Sequence, residues 1–79
     1  MKENINKIIL DTSIIIDGKI SQMITKEELR NVEIIIPYAV LDELQSQASR
    51  GREIGFVGLA ELKTLRGLCE KKGMKIRFT

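Results

Sequence analysis

Two short apolar runs, each leading into a helix-like segment that carries a carboxylate, limit what this chain can become. The first, Ile8-Ile9-Leu10, meets Asp11 and then the hydroxyls of Thr12 and Ser13. The second lies in Val32–Pro37 and meets a segment that carries Asp42 and Glu43. Runs of Ile and Leu bounded by polar residues read as buried strands. Open parallel sheets take their ligands at the carboxyl edge, so Asp11 is a candidate site residue. The plainer alternative is that Asp-Thr-Ser only turns the chain by bonding nearby backbone amides. At the second junction Pro37 is tolerated in a first helical turn, where its missing N–H had no partner. Val40, Leu44 and Ala48 recur at helical spacing with Leu41 beside them and should face the sheet. Glu43 then falls at the border of that face, and Asp42 points further outward.

Taken together, in this order and at this separation, LDTSIIIDGKI and IIIPYAVLDELQ resemble the first half of a PIN domain, a metal-dependent nuclease fold. The closest likeness is to the archaeal type, in which PIN is joined to another nucleic-acid-binding or ATPase module. The resemblance runs from about Lys7 to the end of the chain. It implies that Asp11 and Glu43 are catalytic, metal-binding carboxylates, with Ser13 and Thr12 in support. It implies a three-layer α/β/α domain on a parallel sheet, with strand order three-two-one in this portion. The family's later acidic positions lie beyond a third strand, and this chain stops at Thr79. Residues 1–79 are therefore expected to be the N-terminal portion of a single PIN-like domain.

Composition narrows the chemistry. Seventy-nine residues allow one small domain with a marginal core. The single cysteine, Cys69, permits no internal disulfide and fits a reducing cytoplasm. No stretch is long enough for a membrane span, and Met1–Asn6 shows no signal-peptide pattern. There is no histidine, which removes histidine acid–base chemistry and argues against a zinc site. The net charge of +2 is unevenly spread. Residues 1–45 hold 5 Lys/Arg and 8 Asp/Glu, a balance of −3, whereas residues 46–79 hold 8 and 3, a balance of +5. An acidic half beside a basic half suits a metal site next to a phosphate track. For most single residues a solvated helix face is the plainer account.

Along the chain, Met1–Asn6 is polar and expected to fray. Lys7–Leu10 forms strand one. Ile14–Ile16 reads as a buried turn leading to a helix near Lys19–Ile24, in preference to a hairpin at Asp17-Gly18. Thr25 and Glu28 have capping-box spacing, so a short helical turn is expected to start there, with Asn31 as a stop. Val32–Ile36 is strand two and Pro37–Gln47 a helix. Ser49-Arg50-Gly51-Arg52 is a loop, with Arg50 and Arg52 as candidate phosphate contacts. Glu53–Lys72 is a longer helix on an apolar stripe of Ile54, Val57, Leu62, Leu65, Leu68 and Cys69. Its glycines weaken that helix, although Gly58 allows close packing. Gly73 caps it, and Met74–Phe78 is strand three. Alternating strands and helices predict a parallel sheet with right-handed crossovers.

The chemistry open to such a chain is that of oxygen ligands. Two carboxylates brought together repel each other unless a cation joins them. Magnesium or manganese suits such ligands and leaves positions for water and phosphate. The resemblance thus implies a Mg- or Mn-dependent endoribonuclease, weak or inactive in this portion alone. One alternative is an inactive PIN-like module that binds RNA or protein. Another is a phosphate-accepting receiver domain, disfavoured because its acceptor ends the third strand, which here reads MKIRFT. Expected partners are RNA, the remainder of the domain or a fused module, and a second copy of the chain. The last follows because strand one, central in a complete PIN domain, is left here as an apolar edge.

Overall fold

The computed structural model describes residues 6–79. The expectation for Met1–Asn6 therefore falls, apart from Asn6, outside the described residues. The order of elements is β1 (Asn6–Ile9), α1 (Thr12–Asp17), α2 (Lys19–Thr25), β2 (Val32–Ile36), α3 (Tyr38–Ser49), α4 (Glu53–Lys72) and β3 (Lys75–Phe78). The three strands form a parallel sheet with β2 in the middle. That is the expected neighbour order, three-two-one.

The helices cover one face of the sheet. Leu10, Val32, Ile34 and Ile36 share a core with Ile15, Ile24, Leu44, Leu62, Leu65 and Cys69. Side chains alternate along a strand, so the other face carries Lys7 and Ile9 on β1, Glu33 and Ile35 on β2, and Lys75 and Arg77 on β3. Residues 6–79 thus supply two layers of the three-layer architecture, and no described helix covers this second face.

Two local readings change. Thr12–Asp17 is a helix, not a turn. Asp11 caps its start, and Gly18, in the left-handed region at φ 78°, ends it and leads into α2. Thr25 begins no new helical turn. Its hydroxyl donates to the Ser21 carbonyl (2.9 Å), so it closes α2 and is not free to cap. Glu27 follows at φ 61°, which breaks helical geometry. Asn31, at φ 58°, supports the expected stop before β2.

Helices α3 and α4 form an antiparallel hairpin joined at Arg50–Arg52. A Cβ on Gly55 would strike the backbone of Ala48, and one on Gly58 would strike the Leu44 side chain. The two backbones meet there because neither glycine has a side chain. This corrects the expected stripe: Gly55 and Gly58 are buried, whereas Ile54 and Val57 are 45% and 42% exposed. Further along, Leu62, Leu65 and Cys69 enter the core as expected.

α4 spans 20 residues, about 30 Å, against β-strands of four or five residues. Its second half lies on the sheet, so its first half and α3 extend past the carboxyl edge. This explains the long axis of 49 Å against 24 and 18 Å. A latch fixes the base of this arm: the Tyr38 N–H donates to the Thr79 carbonyl (2.6 Å), and the Thr79 N–H donates to the Ile36 carbonyl (3.0 Å). No helix among the described residues is long and apolar enough to cross a membrane.

Candidate metal centre

Asp11 lies just past β1, where the chain leaves the sheet. Leu10 still donates its N–H to the Ile35 carbonyl (3.0 Å), so Asp11 is held at the carboxyl edge. Its Oδ1 accepts from the Ile14 N–H (3.0 Å) and from the Ser13 hydroxyl (3.1 Å). The first bond satisfies an amide that a helix start leaves without a partner. Its Oδ2 makes no hydrogen bond among the described residues. Asp11 is exposed, and so is Ser13, while Thr12 is half-buried on the first turn of α1.

Glu43 is exposed on the second turn of α3, which starts directly after β2. Its Oε2 accepts from Gln47 Nε2 (2.8 Å), and its Oε1 has no partner among the described residues. Gln47 Oε1 is itself buried without a partner. The i,i+4 spacing of Glu43 and Gln47 is legible on a helix, yet Gln47 was not among the expected site residues. Asp42 is also exposed, as expected of a residue facing away from the core.

β1 and β2 are adjacent and parallel, so both junctions open on the same edge. α1 also touches α3. The topology therefore places Asp11 and Glu43 on one side of the molecule. Arg50 and Arg52 are elsewhere, at the tip of the α3–α4 arm, about 18 Å along α3 from its start. Glu61 is a carboxylate that the sequence reading passed over. It lies on α4 facing the α1–α2 junction, with Oε1 3.9 Å from where a Gly18 Cβ would stand and Oε2 buried without a partner. Among the described residues no three His, Cys, Asp or Glu side chains converge to hold a metal. The oxygen donors at Asp11 and Glu43 nevertheless suit a small hard cation, since each carboxylate keeps one oxygen uncommitted. Cys69 is fully buried in the core, and burial pushes its thiol pKa up. It is a packing residue, as its place on the apolar stripe suggested.

Comparison with known proteins agrees with this architecture. The sequence profile of the PIN domain family matches residues 8–78. An uncharacterized KH and PIN-domain containing protein from Methanocaldococcus jannaschii is 40% identical over 72 residues, which cover 91% of this chain and 11% of that protein. A solved domain of a functionally unknown protein from the same organism superposes with a TM-score of 0.88 at 39% identity, covering 94% of this chain and 53% of that one. The chain thus spans about a ninth of the curated relative's length and about half of the solved chain. Matched over residues 8–78, the chain belongs to the PIN domain family, whose members are generally nucleases that use a divalent metal.

Proposed function

We propose that this chain is the N-terminal portion of a PIN domain that hydrolyses RNA with a divalent cation, and that Asp11 and Glu43 are the carboxylates that hold it. The observation that carries this reading is the matched state of the two side chains. Each has one oxygen fixed by the chain's own donors and one without a partner, at junctions on the same sheet edge. Ser13 orients Asp11 through its hydroxyl, and Thr12 supports the same turn. Gln47 orients Glu43. When bound, magnesium or manganese supplies Lewis-acid polarisation of the phosphodiester. Arg50 and Arg52, at the tip of the arm, contact phosphates of an RNA reaching beyond the edge. A KH module is named in the relative from Methanocaldococcus jannaschii. A comparable RNA-binding module in the parent protein would present RNA to this edge. The lone buried thiol suits a reducing cytoplasm.

A metal titration by calorimetry tests the site. Weak binding of manganese is expected, lost in both Asp11→Asn and Glu43→Gln, with little or no RNA cleavage by the 79-residue chain alone. Two carboxylates are a thin shell, and supporting ligands normally fix the geometry. Unchanged affinity in both variants would remove the assignment. The alternative reading is an inactive module that binds RNA or protein. Robust metal-dependent cleavage abolished by Asp11→Asn would exclude it.

The edge of β1 supports self-association. β1 pairs only with β2 among the described residues, and Ile9 beside that edge is 65% exposed. Lys7 within the strand guards it only in part. Two copies joining β1 to β1 across a twofold axis would make one continuous sheet. Light scattering over a dilution series should show a dimer that dissociates on dilution. A monomer at every concentration would rule this out.

A further inference from the structure

The three glycines in the body of α4 do not share a purpose. Gly55 and Gly58 are required by the approach of α3, but a Cβ on Gly67 would meet nothing within 4 Å. A mid-helix glycine costs about 1 kcal/mol against alanine. No packing contact offsets that cost at Gly67. Its missing side chain instead opens the wall of a groove where α4 lies over the outer edge of β3. Lys63 and Arg66 line this groove from α4, and Lys75 and Arg77 line it from β3. A second depression shares Gly67 and Lys63 and extends the basic surface to Lys71.

Met74 and Ile76 form the groove's apolar floor, and four of its six charged side chains are basic. Its acids are Glu33 and Glu70, and Glu33 is taken up by Arg77 (2.6 Å). Lys63, Arg66 and Lys75 are exposed and make no ion pair among the described residues. β3 is an edge strand, so its outward N–H groups are further donors. The groove is open and about 620 Å³ in volume. An open channel with basic walls, backbone donors and a gap for close approach suits an extended polyanion better than an enclosed small molecule.

We infer that the groove between α4 and β3, at Gly67, is a binding track for the phosphodiester backbone of single-stranded RNA. β3 ends on the same sheet edge as Asp11, two strand spacings of about 4.8 Å away. The track thus delivers the strand towards the candidate metal centre. It rests on RNA being the substrate class proposed above, but not on hydrolysis.

The test is a fluorescence anisotropy titration of a labelled oligouridine against the 79-residue chain in EDTA, at several salt concentrations. Without metal, binding is read apart from cleavage, so an absence of hydrolysis leaves the result intact. Each lost phosphate contact should lower the salt slope by roughly 0.7, so Lys63→Ala/Arg66→Ala should lower it by about 1.4 and weaken binding roughly 25-fold at 0.1 M salt. Lys26→Ala/Arg30→Ala removes the same charge from exposed positions outside the groove and should change neither. Circular dichroism checks that both double variants fold. Equal weakening by the two pairs, no effect of the first pair, or no binding by the parent chain would each overturn the track.

Discussion

The two faces of the sheet are made by the same three strands and have opposite chemistry. On the helix-covered face Ile34 and Ile36 are fully buried. On the other, Ile9 is 65% exposed and Lys7, Lys75 and Arg77 face solvent around it. Ile35 belongs to this open face yet is only 5% exposed, with Ile9 and Arg77 as its partners across the ladder. An unbroken Ile34-Ile35-Ile36 run therefore does not prove two covered faces. Apart from Ile35, the open face buries little apolar surface, so the covered face and the α3–α4 hairpin behind it hold most of the fold.

That contrast can be broken by substitution, and the largest effect belongs to the covered face. Ile34→Ala should cost about 2–5 kcal/mol in urea unfolding, as a cavity among Ile24, Leu44 and Leu65 would. Ile9→Ala should stay within about 0.5 kcal/mol. Similar losses from both would mean that the open face is packed in solution. Next come the glycines of α4. Gly55→Ala forces a Cβ onto the Ala48 backbone and should destabilise by about 1–3 kcal/mol. Gly67→Ala should stabilise by up to about 1 kcal/mol. The same sign from both would remove the distinction between a packing glycine and a groove glycine. The smallest effect is at the edge itself. Asp11→Ala removes the α1 cap and should cost roughly 0.5–2 kcal/mol, whereas Asp11→Asn keeps a capping oxygen and should be nearly neutral. Thermal melts of the two variants would separate the capping role of Asp11 from its role towards a cation.

Much of this fold was legible because its signals are local. Glu53–Lys72 was bounded by a loop and by Gly73, which ends α4 at φ 71°. β2 stood out as an Ile run before Pro37. α1 was hidden by its own composition. Ile14-Ile15-Ile16 is a β-branched run with poor helix propensity, and tertiary burial of Ile15 overrides it. The readable signals there were Asp11 three residues before a free amide and Gly18 at the exit. The face of α4 was misread at Ile54 and Val57 because apolar periodicity cannot register a contact made by missing side chains. At the candidate site, the positions of Asp11 and Glu43 at two junctions were legible. The hydrogen bonds that commit one oxygen of each were not, since they depend on side-chain geometry.

The latch at Thr79 gives the molecule a built-in reporter. The first amides of a helix ordinarily exchange with solvent quickly, having no partner. The Tyr38 amide instead donates to the carbonyl of the residue that follows β3. Its exchange with deuterium should therefore be slow while β3 is docked, and should speed up whenever β3 detaches, even with α3 still wound. The proton at the base of the arm that carries Glu43 thus keeps time with a strand far from it in the chain.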